Sequence, residues 1–161
     1  MTTMTHRATV AAEGDRTIRV VREFSAPAAL VFRAWTEPDL IRRWWHAKRG
    51  EVTHAEMDLR PGGHWRWAMS TPDGTEVAFH GEVLEVVPGE RLVCTEAYEG
   101  MPEAQPSTNT LTLTEQDGAT TLEIVIVHAT AADRDGQLAS GMEAGLQDAL
   151  ALLEDVAAAV G

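Results

Sequence analysis

Asp58-Leu59-Arg60-Pro61-Gly62-Gly63, followed at once by His64-Trp65-Arg66-Trp67-Ala68-Met69, ties a tight turn to an alternating strand. Successive strand side chains point to opposite faces, so Trp65, Trp67 and Met69 share one face while His64 and Arg66 share the other. A face carrying two tryptophans has to be covered. The same rhythm extends on both sides, from Glu51 to His128, with turn chemistry at Thr71-Pro72-Asp73-Gly74, Val87-Pro88-Gly89-Glu90 and Glu115-Gln116-Asp117-Gly118. Connections that short force neighbouring strands to be antiparallel. The segment Glu99 to Ser107, with Gly100, Pro102 and Pro106, is the one ragged connection and reads as a mobile loop.

Upstream, Thr17 to Phe24 alternates as a strand, and Glu13-Gly14-Asp15 before it is a turn signal. Arg7 to Ala11 is a candidate short strand returning on it, inside an N-terminal tail spanning residues 1–15; Met1 to Thr5 reads as loose chain. Two short helices follow the first main strand. Ser25 is placed to cap one, with Val31, Ala34 and Trp35 on its face. Thr36 with Asp39 resembles a capping box for the other, with Leu40, Ile41, Trp44 and Trp45 on its face. Downstream, Arg134 to Val160 lacks proline and repeats Leu138, Met142, Leu146, Ala149, Leu152, Leu153 and Val156 at three and four, the period of a long amphipathic helix. The expected architecture is α+β, a single domain over residues 16–161 with a curved antiparallel sheet wrapped around the C-terminal helix.

The chain has 161 residues, a length suited to one domain with a sizeable core. Its net charge of −12 argues against nucleic-acid partners and anionic membrane surfaces. No stretch approaches the length of a membrane span, and Met1 to Asp15 has no signal-peptide core, so a cytoplasmic location is expected. Cys94, the single cysteine, lies in an apolar strand and reads as a buried, inert thiol.

By parity, Leu122, Ile124, Ile126 and His128 share a face, as do Val77, Phe79, Gly81 and Val83. If these faces look toward Met142, Gly145 and Leu146, the space between is apolar with an occasional polar group, the make-up of a small-molecule pocket. A filled core fits the same pattern. Gly141 and Gly145, within an otherwise good helix, leave volume facing the sheet or permit close packing of a strand. The six histidines show no metal-ligand spacing, and no metal site is expected. No nucleophile elbow, phosphate loop or dinucleotide fingerprint occurs, so no cofactor and no catalytic residue is nominated. Glu82, Glu96 and Glu123 lie in strands and are candidate pocket acids, but alternation equally puts them on the solvated face, which is the favoured reading for all three.

The motifs Ala26 through Trp45, Asp58 through Trp65, Val87 through Leu92 and Gly141 through Leu146 together resemble the SRPBCC or START-like superfamily. Within it they resemble the branch of activators of the heat-shock protein 90 ATPase, over Thr17 to Leu153. The resemblance implies a helix-grip fold, commonly with a deep apolar cavity between sheet and C-terminal helix. Leu146 departs from it, standing where many relatives carry tryptophan, which would reshape the helix side of the cavity. The implied roles are diverse, namely ligand carriers, enzymes and co-chaperones, and the eukaryotic activators carry a further N-terminal domain. The leading expectation is binding of a small apolar or aromatic molecule by Trp65, Trp67, Met69, Phe79, His128, Met142, Gly145 and Leu146, with Trp44 and Trp45 near the mouth. The alternative is a co-chaperone-like module engaging a chaperone or other protein through an apolar patch on the short helices, with a cyclase- or hydrolase-like enzyme third. Assembly as a homodimer is left open.

Overall fold

A computed structural model describes residues 6–160. The loose chain expected at Met1 to Thr5 lies outside the described residues. Strands β1 (Thr9–Glu13), β2 (Thr17–Phe24), β3 (Glu51–Met57), β4 (His64–Ser70), β5 (Glu76–Val87), β6 (Arg91–Tyr98), β7 (Ser107–Gln116) and β8 (Ala119–Val127) form one curved antiparallel sheet, ordered β1-β2-β8-β7-β6-β5-β4-β3. The meander β3 to β8 is sequential, as its short turns require; β2 then closes against β8. Helices α1 (Ala28–Thr36) and α2 (Pro38–Ile41) connect β2 to β3. The chain ends in α3 (Ala131–Ala139) and α4 (Met142–Ala159).

The inner face of the sheet carries the core. Ile18, Val20 and Phe24 of β2, Leu122, Ile124 and Ile126 of β8 and Leu111 and Leu113 of β7 are buried with Val31 of α1 and Leu150, Leu153 and Val156 of α4. Helix α4 lies beside α1, and together they roof this half of the sheet. The result is the α+β helix-grip architecture.

Three local expectations need correction. The helix expected over Arg134–Val160 is two helices, because Gly141 stands between them at φ 82° as the residue before α4. That left-handed conformation costs any residue with a Cβ about 1 kcal/mol or more, so Gly141 is a break and not a gap filler inside a helix. Ser25 caps nothing: its Oγ meets His6 Nε2, and the start of α1 is held by Glu115 of β7, whose carboxylate accepts from the Ala28 N–H at 2.7 Å. Thr36 does not open α2; its hydroxyl donates back to Phe32 O at 2.7 Å, and α2 ends at Ile41, leaving Trp44 and Trp45 in the turns that follow.

One ion pair fastens β2 to α4. Arg22 occupies an inward position of β2, donates to Glu154 Oε1 at 2.7 Å and lies 4.5 Å from the centre of the Phe24 ring. At the far edge, the β3–β4 register shifts between Val52 and His54, a bulge in the outermost strand.

Replacing Glu154 with alanine strands a buried guanidinium, and such losses cost about 3 kcal/mol. Removing Glu37 from the exposed Arg33–Glu37 pair should cost little, because water screens it. Urea unfolding of the two variants checks this; equal losses would mean that Arg22 draws no special support from Glu154.

Candidate functional site

All five tryptophans meet in one cluster. Trp67 of β4 has ring centres of Trp35, Trp44, Trp45 and Trp65 at 6.4, 5.8, 5.8 and 5.3 Å. Most of these meet edge to face, the arrangement that aromatic quadrupoles favour. Trp44 is 2% exposed and its indole N–H donates to Ala34 O at 2.8 Å, so it anchors the turn after α2 to α1. Trp45 continues the cluster to Phe79 at 5.9 Å, and Phe79 to Tyr98 at 5.0 Å.

Gly81 sets the position of Trp65. It lies opposite Trp65 in the β4–β5 pairing, and a Cβ there would stand 1.9 Å from Thr95 O and 2.7 Å from the Trp65 indole nitrogen. With no side chain in the way, Trp65 reaches across β5 and its Nε1 donates to Thr95 O at 3.0 Å.

Beside this cluster the inner face of the sheet leaves a partly open cavity of about 60 Å³. Its walls are Trp35 of α1, Met57 of β3, Trp65 and Trp67 of β4, Leu92, Cys94 and Glu96 of β6, and Asn109 and Leu111 of β7. Two of its groups are chemically unsettled. The Trp67 N–H is buried and has no hydrogen-bond partner. The Glu96 carboxyl is desolvated, and burial pushes its pKa up to about 7, a shift that hydrogen bonding from Asn109 opposes. The Glu96 residue keeps some exposed surface and lines the cavity, its carboxyl hydrogen-bonded to Asn109, another wall residue. Asn109 is held in turn by the Ser107 hydroxyl, which donates to its Oδ1 at 3.1 Å. Cys94 is buried and its thiol is pushed up to about 12 by burial, with the Glu96 charge adding to the effect; at neutral pH it is not a nucleophile.

Of the residues nominated from sequence, the cavity brings together Trp65 and Trp67. Trp44 lies behind it, Trp45 and Phe79 flank it, and Met69 is buried near the other end of β4. His128 is engaged with Gln137 of α3. Met142 and Leu146 pack against the core without reaching the cavity, and a Cβ on Gly145 would find Arg49 Nε at 3.9 Å as its nearest neighbour. Gly145 therefore faces the Arg49–Asp148 ion pair and not the sheet. No residue of α4 lines this cavity; the helical contribution to its wall is Trp35 of α1. Glu96, weighed as a pocket acid but favoured for the solvated face, is a wall residue of the cavity. Parity with Leu92 and Cys94 places it inward, a signal that its charge obscured; Asn109 follows from Leu111 and Leu113 in the same way.

Outside the cavity, the opposite face carries its own charge network. Glu99 accepts from Arg66 at 2.8 and 2.9 Å and meets His80 at 2.9 Å, which holds its pKa down to about 2. Among the described residues no group of three or more His, Cys, Asp or Glu could hold a metal, and no helix is long and apolar enough to cross a membrane.

Residues 25–158 match the family model described as Activator of Hsp90 ATPase homolog 1-like protein. The chain belongs to that family. Among solved structures, this Hsp90-activator-like chain is similar to a protein from Rhodobacter sphaeroides, with TM-score 0.88 and 25% identity, covering 95% of this chain and 99% of that one. It is also similar to protein Ms6760 from Mycobacterium smegmatis, with TM-score 0.82, 26% identity and coverage of 96% and 99%. A third, protein CV1439 from Chromobacterium violaceum, has TM-score 0.72, 29% identity and coverage of 86% and 97%. No curated protein matches the chain.

The buried Glu96 makes stability pH-dependent. Its folded pKa, about 7, lies above the ordinary 4.5, so the folded state holds the proton more tightly than the unfolded chain. Its stabilising share is complete below the ordinary value and is lost as pH rises to about 7. Relative to the parent, Glu96→Gln should therefore gain stability between pH 4.5 and 8, by about 3 kcal/mol at 1.36 kcal/mol per unit. Urea melts of both proteins at pH 5 and pH 8 measure the difference, and a constant difference would contradict a desolvated carboxyl.

Proposed function

We propose that this protein binds one small, largely apolar molecule against the wall of Trp35, Trp65 and Trp67, with an oxygen or nitrogen of the ligand accepting from Trp67 Nε1. Two observations carry the proposal: Trp67 walls an apolar cavity, and its buried N–H has no hydrogen-bond partner. An unmet buried donor costs about 1–3 kcal/mol, and protein interiors leave few of them. A ligand acceptor recovers that cost only when bound, which turns a structural defect into a recognition feature. The same family is the frame for both carrier and co-chaperone readings, and fold alone does not choose between them.

Size sets the manner of binding. About 60 Å³ is less than half of the ~150 Å³ that admits benzene in an engineered protein cavity. A ligand therefore seats one end inside and leaves the rest in the opening, or displaces Met57, a partly buried side chain of the adaptable kind. For the co-chaperone reading, the large exposed apolar side chains are Leu59, Leu84, Val87, Tyr98, Met101 and Val127, none of them on α1 or α2. The short helices thus lack the apolar patch that this reading called for, and the ligand reading has the stronger support.

Acetophenone, a ring with a single acceptor, should bind and alter tryptophan emission, and should bind more tightly than toluene by about tenfold, the worth of one good hydrogen bond. Trp67→Phe should erase that preference. Cys94→Leu, which adds bulk at the cavity floor, should abolish binding while leaving the circular dichroism spectrum intact. Acetophenone bound equally well by Cys94→Leu would place the ligand elsewhere.

A further inference from the structure

The cavity holds an acid without a base. No arginine, lysine or histidine lines it, and among the described residues Glu96 takes part in no ion pair, whereas Glu154 is paired with the buried Arg22. Around Glu96 stand Cys94 from its own strand, Asn109 from β7, Trp65 and Trp67 from β4, Met57 from β3 and Trp35 from α1. None of these carries charge, the Cys94 thiol being neutral at physiological pH. Three indoles and a carboxyl make a surface that is apolar in bulk and carries a single acid. Indole faces attract organic cations, and an ammonium–carboxylate hydrogen bond is about twice as strong as a neutral one. The net charge of −12 draws cations toward the protein at long range.

We infer that the pocket selects an aromatic amine in its protonated form, its ammonium group donating to the Glu96 carboxylate and its ring lying against Trp35 and Trp65, with any neutral oxygen or nitrogen elsewhere on the ligand left to accept from Trp67 Nε1. This rests on the pocket reading above and names the ligand class for it. A bare metal ion does not fit the same surface, because one carboxylate among indoles and aliphatic groups supplies too few oxygen ligands. A neutral ligand would leave Glu96 free to keep its proton. The near-neutral pKa of Glu96 marks the ligand-free balance, and a bound ammonium tips it toward the carboxylate.

Benzylamine and benzyl alcohol are near-isosteres, one cationic and one neutral throughout the working pH range, and both are read by tryptophan emission and calorimetry. At pH 8, benzylamine should bind about tenfold more tightly than the alcohol. At pH 6, where Glu96 is largely protonated, the preference should shrink several-fold, and calorimetry in buffers of different ionisation enthalpy should register proton release on amine binding. Glu96→Gln should erase the preference at pH 8 while leaving acetophenone binding in place. Equal affinities for the two probes, or a preference that survives Glu96→Gln, overturns the amine assignment even where acetophenone still binds. Failure of all three probes to bind overturns the assignment together with the pocket reading.

Discussion

Trp67 is the point on which half of this molecule turns. It is 6% exposed, sits in the strand that follows the Asp58–Gly63 turn, and touches the four other tryptophans of the chain. Two of these, Trp44 and Trp45, belong to irregular chain between α2 and β3, where neither a helix ladder nor a sheet ladder fixes the backbone. Local turn bonds such as Trp44 N–H to Ile41 O and Ala47 N–H to Trp44 O shape this segment, and it docks on the sheet because large apolar rings lose water when they pack, each burying on the order of 150–250 Å². The cluster thus fixes residues 42–50 against the rest of the molecule. The same crowding leaves the Trp67 N–H without a neighbour to accept from it, so support and recognition come from a single side chain.

The other half is held by polar contacts at specific places. Arg22 with Glu154 ties β2 to α4, Arg134 donates to Gly14 O and Thr17 O and so ties α3 to the first hairpin, and Thr120 donates to Ala26 O ahead of α1. These are buried or half-buried groups whose partners lie far away in sequence. They select one docking of the helices on the sheet, whereas the aliphatic core beneath would tolerate several. The two halves meet at β6 and β7, and the cavity lies at that junction, where neither the tryptophan cluster nor the aliphatic core fills the space.

The sheet was legible because its signal is periodic and its turns are chemically marked. Trp65 and Trp67 face inward as two-residue alternation requires, and the turns at Arg60–Gly63 and Thr71–Gly74 fall between the expected strands. Helix ends were less legible. Ser25 and Thr36 have the right chemistry for caps, but His6 and the Phe32 carbonyl, respectively, claim their hydroxyls, and tertiary partners such as Glu115 are invisible to local pattern. The candidate site was half legible. Its aromatic wall follows from strand parity, while the helix-side residues Met142, Gly145 and Leu146 were placed by assuming that α4 looks straight into the sheet. Glu96 carried the right parity and the wrong polarity for an inward position, so the rule that charged residues face water outvoted the alternation. Such conflicts between a local pattern and an average preference concentrate where binding or chemistry is done.

An open sheet has two outer strands, and each is a template on which another chain can grow. In β3 the shift between Val52 and His54 interrupts the regular spacing of free N–H and C=O groups, and Glu51 and Glu56 add charge beside it. A second copy laid along this strand would lose register after two or three residues. The bulge therefore works against extension of the sheet from this edge. A protein that keeps an aromatic-rich cavity open on one side of its sheet has particular need of such a barrier, since sticky interiors and free edges together are the ingredients of fibres.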